Sequence, residues 1–182
     1  QWRMHMFPIT QATTHLWSQA CIRVKYPGPF MTMLLDRWKY RQLPVAQTLA
    51  HFIRFLGTMA AERSDSAEAL LDDAFRVFAL YPYYGVPYDA LAYGALVEAC
   101  CEVNTEEAWR RALIASEETL AEDTPAITLE ALNALERRSS ERNESEMAAR
   151  YRDLAKHLDL KPASKKEVQF DSDGNVTLPG SD

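Results

Sequence analysis

The feature that most constrains this chain is that it repeats itself. Leu91, Ala92, Tyr93, Gly94, Ala95, Leu96, Val97, Glu98, Ala99 and Cys100 lead to Glu106, Glu107 and Ala108, and the scheme returns as Ile127, Thr128, Leu129, Glu130, Ala131 and Leu132. Leu132 lies 36 positions after Leu96. A period of roughly 20–50 residues marks stacked supersecondary units, because one unit cannot bury its apolar face alone. Only 6 Gly and 9 Pro in 182 residues favour helices over strands, which need more turns. The expected class is all-α: a right-handed α-solenoid of about four helical hairpins.

The anchors place those hairpins. In the third unit Tyr93, Leu96, Val97 and Cys100 keep helical spacing, Asn104 and Thr105 mark a turn, and Ala108, Ala112, Ala115 and Leu120 line the second helix up to Pro125. The fourth repeats the scheme with Leu129, Leu132 and Leu135, a turn at Asn143, then Ala148, Tyr151, Leu154 and Leu158 before Pro162. The second runs from Leu49, Phe52, Ile53 and Leu56 to Ala74 and Phe78. Its anchor Phe52 precedes Leu96 by 44 positions, so about eight extra residues are expected within Glu62–Asp73. The first unit sets Trp17, Ala20 and Cys21 on one helix and Phe30, Leu34, Leu35 and Trp38 on the next, with Pro27-Gly28-Pro29 between them. The resulting division is an apolar N-terminal arm over 1–11, the solenoid over 12–162 and a tail over 163–182. In the tail, Val168-Gln169-Phe170 and Val176-Thr177-Leu178 flank an Asp- and Gly-containing turn and read as a β-hairpin.

Charge is unevenly spread. Residues 1–42 hold six Lys or Arg against Asp36 alone, a net +5, which leaves −11 on 43–182 of the chain's −6. An acidic body releases no counterions from phosphates, so nucleic acid is a poor partner for it. No apolar run approaches the roughly 20 residues that span a bilayer, so membrane insertion is not expected. Cys21, Cys100 and Cys101 form no paired framework and read as free thiols of a reducing compartment.

Counted from Leu91, the stretch Asp89–Pro125 carries Tyr93 at the third position, Leu96-Val97 at the sixth and seventh, and Glu107-Ala108 opening its second helix, with Pro87-Tyr88-Asp89 just ahead. It resembles the pentatricopeptide repeat. Asp73-Ala74-Phe75-Arg76-Val77-Phe78 followed by Gly85-Val86-Pro87 looks like that family's second helix and closing turn, and the resemblance spans roughly 12–162. RNA-reading members use a polar fifth residue; here those positions are Leu16, His51, Ala95 and Ala131. Alanine offers a base edge no hydrogen bond. A short, acidic, non-coding array of about four units is similar to the repeat subunit on the outside of the F1 head in euglenozoan mitochondrial ATP synthases. That resemblance implies a mitochondrial, non-catalytic accessory subunit bound to the α subunit, without a cofactor. The alternative is an organellar RNA-binding repeat protein of the mitoribosome or of RNA processing.

No phosphate loop, dinucleotide turn, nucleophile elbow or His-Glu-x-x-His occurs, so no catalytic residue is expected. His5, His15, His51 and His157 are scattered without metal-ligand spacing. Tyr81, Tyr83, Tyr84 and Tyr88 crowd one Pro-containing loop, and with few cations around them they read first as packing between units. The partner-binding expectation falls on the N-terminus. Trp2, Met4, Met6 and Phe7 would supply desolvated contacts, and Arg23, Lys25, Arg37, Lys39 and Arg41 would steer an acidic protein surface.

Overall fold

Side-chain caps start most of the helices. Thr10 and Thr13 bond each other's backbone N–H groups in a capping box ahead of α1 (Gln11–Arg23). Asp89 accepts from the Ala92 N–H at 2.8 Å to open α6 (Ala90–Glu102). Thr105 and Thr128 do the same for α7 (Glu106–Leu120) and α8 (Leu129–Glu141). Each such bond satisfies an orphan donor and stabilises its helix by about 1 kcal/mol. Between these lie α2 (Gly28–Leu35), the single turn α3 (Arg37–Tyr40), α4 (Ala46–Glu62) and α5 (Ala67–Ala79), and α9 (Ser145–His157) comes last. This computed structural model describes residues 9–121 and 127–157, and among them the protein is all-α. The expected tail hairpin, Pro125, Leu158 and Pro162 lie outside the described residues.

Helices pair as hairpins α4–α5, α6–α7 and α8–α9, while α4, α6 and α8 pack side by side in a row that α1 extends at one end. The closest approach in that row is made by a glycine. A Cβ on Gly57 of α4 would sit 2.4 Å from the Ala99 Cα of α6, so only hydrogen fits. Gly94 repeats the device against Thr128, whose Oγ1 would lie 2.5 Å from an added Cβ. Leu49, Phe52, Ile53, Leu56, Leu96 and Val97 fill the space around these contacts, each at most 2% exposed. Arg138 of α8, 7% exposed, reaches back to the Val103 carbonyl and the Asn104 side chain and ties one unit's turn to the next unit.

The repeat length departs from the expected 36. Helices α4, α6 and α8 begin at 46, 90 and 129, so the last two units are offset by 39 and Leu96 corresponds to Leu135 rather than Leu132. Leu132 and Leu135 are both fully buried, which is why the anchor pattern alone selects the wrong one. The second unit's surplus is mostly one extra turn of α4, 17 residues against 13 in α6. The stretch 62–73 holds only a short 3-10 turn and the start of α5, rather than the expected surplus.

Candidate docking surface

The first unit is joined to the row by polar contacts at α1 and by an apolar one at α2, where fully buried Phe30 meets the Phe52 ring with centroids 4.8 Å apart. His15 Nδ1 and Thr48 Oγ1 lie 3.1 Å apart, and the Leu43 N–H donates to Thr14 Oγ1 at 3.0 Å. The buried stripe of α1 is Thr14, Ser18 and Cys21, and the Ser18 hydroxyl has no hydrogen-bond partner. Trp17, expected as an anchor of the first unit, is 43% exposed, while Phe52 of the second unit is fully buried. The helical spacing of Trp17 is real, but among the described residues no helix covers that side of α1. The same holds for Leu35 and for Trp38, which is 86% exposed on α3.

Large apolar and cationic side chains therefore share the surface of one unit. Leu16, Val24, Tyr26, Leu35 and Trp38 are all more than half exposed. Arg23, Lys39 and Arg41 are exposed with them, Lys39 lying 5.1 Å from the Tyr40 ring. The two other expected cations are used inside the fold. Lys25 pairs with Glu62 at 2.7 Å, and the Arg37 guanidinium donates to the Tyr83 carbonyl while lying over the Tyr83 and Tyr84 rings at 5.4 and 5.3 Å. Arg37 is thus a strut that fixes α3 to the loop after α5, and the Tyr84 hydroxyl reinforces it by donating to the Leu34 carbonyl at 2.8 Å. Burial pushes the Tyr84 hydroxyl up to about 12, so it stays a donor throughout the physiological range. Trp2, Met4, Met6 and Phe7 lie outside the described residues.

The tyrosine loop packs mainly between units. Tyr81 is fully buried and donates to the Ala46 carbonyl at 3.2 Å, and Tyr88 stacks on Phe78 with centroids 4.6 Å apart. His15 and His51, 36 positions apart, bring their rings to 6.3 Å across the α1–α4 junction, a meeting that no local motif announces. Desolvation first, then the neighbouring His51 for His15 and Arg54 for His51, hold both below the usual histidine range. Cys21, Cys100 and Cys101 are buried free thiols, and burial raises Cys100 to about 12, which makes it a poor nucleophile. Among the described residues no three His, Cys, Asp or Glu side chains converge as metal ligands would.

Across the row, α4, α6 and α8 line a polar groove of about 480 Å³. Arg54 pairs with Glu98 through two bonds of 2.7 and 2.8 Å, and Arg137 pairs with Glu102 at 2.7 Å. Glu130, whose buried Oε2 has no hydrogen-bond partner, adds a third carboxylate, so the lining is net −1 and leaves no cationic track. Ala95 and Ala131, two of the positions at which a base would be read, are fully buried. No family model matches this chain, and no curated protein matches it.

Proposed function

We propose that this protein is a non-catalytic docking subunit, a right-handed α-solenoid that attaches through its first unit to an acidic surface on a larger protein assembly. The observation that supports this reading best is Trp38, 86% exposed on a single-turn helix between Arg37 and Lys39. Trp, Tyr and Arg are the residues that dominate the energetics of protein interfaces, and a solitary domain has no use for an indole held in water. The cations at this end steer the encounter while the net −11 on residues 43–182 turns the body away, which fixes the orientation of docking.

The narrower assignment rests on the resemblance to the repeat subunit of the euglenozoan F1 head. On it, the partner is the α subunit of the mitochondrial ATP synthase and the site of action is the matrix side of the inner membrane. The internally paired groove of the row argues against reading single-stranded RNA, which needs a cationic track and stacking platforms. Isolation of the native complex tests the assignment. ATP synthase subunits at constant ratio to this chain, unchanged by nuclease treatment, are the expected result; co-purification with RNA that is lost on nuclease treatment overturns it.

A further inference from the structure

Beyond the row, α5 and α7 do not pack extensively on each other, and the gap between them is an apolar groove of about 500 Å³. Tyr93 and Leu96 of α6 line it, Phe75 and Phe78 belong to α5, and Ile114 of α7 is 52% exposed beside it. Its charged lining is already partly ordered. Arg111 bonds Asp72 at 2.7 Å and lies over the Phe75 ring, and Glu118 accepts from the Tyr93 hydroxyl at 3.1 Å. The two wall helices are acidic: α5 carries Glu68, Asp72 and Asp73 against Arg76, and α7 carries four glutamates against Arg110 and Arg111, a net −2 on each.

The complement of this groove exists elsewhere on the same chain. Residues 37–41 read Arg-Trp-Lys-Tyr-Arg, net +3, with Trp38 at the centre standing out from α3. A flat aromatic ring flanked by cations complements an apolar slot whose lining carries Asp72 and Glu118 against Arg111 alone. We propose that the groove between α5 and α7 receives Trp38 of a second copy of this chain. Knob and groove lie on different parts of the molecule, so the contact is head-to-tail. Each copy that donates its knob still offers its groove, and copies add in a row unless the geometry closes them into a ring. The leading copy keeps its α3 free for a larger partner, so this self-association and the docking reading are compatible but independent.

The test uses the purified protein alone, so its failure leaves the docking reading standing. Sedimentation equilibrium between about 10 μM and 1 mM covers the range expected for a small knob-in-groove contact. For the wild-type chain the weight-average mass is expected to rise with concentration, and to rise less at high salt because the charge complementarity is screened. Trp38→Ala and Ile114→Arg, both at exposed positions, should each be monomeric with an unchanged melting temperature. An equimolar mixture of the two should form a one-to-one dimer and nothing larger, because one variant keeps an intact groove and the other an intact knob. A wild-type chain that stays monomeric throughout overturns the proposal; a lowered melting temperature for Ile114→Arg would then show that the groove is filled within its own chain. Self-association that survives both substitutions overturns it as well.

Discussion

The junction between α4 and α6 and the junction between α1 and α4 both lay one helix of the row on the next, yet their chemistry is opposite. The first is closed by Gly57 of α4 against the Ala99 backbone of α6, with no room for a Cβ between them. The second rests on Thr14, Ser18, His15 and Thr48, with a hydroxyl that finds no partner and two histidines facing each other. Burial of apolar area gives the closed junction most of its stability, whereas the hydrogen bonds of the polar junction largely replace bonds to water. The first unit is thus held by polar contacts at α1 and by buried Phe30 and Leu34 at α2, and it exposes Trp17, Tyr26 and Trp38. On the docking reading proposed above, those exposed side chains are the ones that a partner would cover.

The largest effect should come from breaking the closed junction. Gly57→Val drives its side chain into the backbone of α6, which no rotamer change can relieve, and should cost about 3 kcal/mol or more. A fall in Tm of roughly 6–12 °C by calorimetry is the corresponding signal. A loss under about 1 kcal/mol would show that the helices of the row separate easily and that the contrast between the junctions is false. Next in size is Ala112→Phe. Ala108 and Ala112 are fully buried and Ala115 nearly so, and overpacking there should cost roughly 1–3 kcal/mol in a urea titration. An unchanged midpoint would mean that the face is open.

How much of this was legible in the sequence follows from these same residues. The alanine stripe of α7, the turn at Asn104 and the left-handed residue Asn143 were readable because each is a local signal with a local cause. Gly57 was not, since a glycine inside a helical pattern reads only as a small cost and its partner Ala99 lies 42 positions away. The anchors Leu132 and Leu135 are equally apolar and equally buried, so spacing could not choose between them and the repeat length came out short. Trp17, Leu35 and Trp38 have core-like spacing but no described helix covers them, and periodicity does not say which sides of a row stay uncovered. In the candidate surface the exposed cations Arg23, Lys39 and Arg41 were readable from charge asymmetry. The internal use of Lys25 and Arg37 depends on Glu62 and on the loop carrying Tyr83 and was not.

Two smaller effects sharpen the contrast from the polar side. Ser18→Ala removes a buried, unpartnered hydroxyl and should leave stability unchanged or raise it by up to about 1 kcal/mol, measured by the same titration. A loss of more than about 1 kcal/mol would mean that the hydroxyl is bonded and the junction tighter than described. The smallest effect is that of pH. His15 and His51 have folded-state values below the ordinary 6.5, so the unfolded chain binds more protons and stability must fall with pH. The full contribution is present above about 6.5 and is lost as pH drops through the lowered folded values. Protection factors of the α1 amides, with the intrinsic pH dependence of exchange divided out, should therefore fall between pH 7 and 5 more than those of α6, and His51→Asn should flatten the difference; an equal fall in both helices would remove the histidines from the account.

The central claim is that the basic, aromatic end meets the partner while the acidic body faces away. Zero-length coupling of amines to carboxylates in the isolated native complex, read by mass spectrometry, tests it directly. Lys39 on exposed α3 and Lys156 on α9, at opposite ends of the chain's order of units, are the informative amines. The account predicts links from Lys39 to carboxylates of another protein and few from Lys156; the reverse pattern would contradict it.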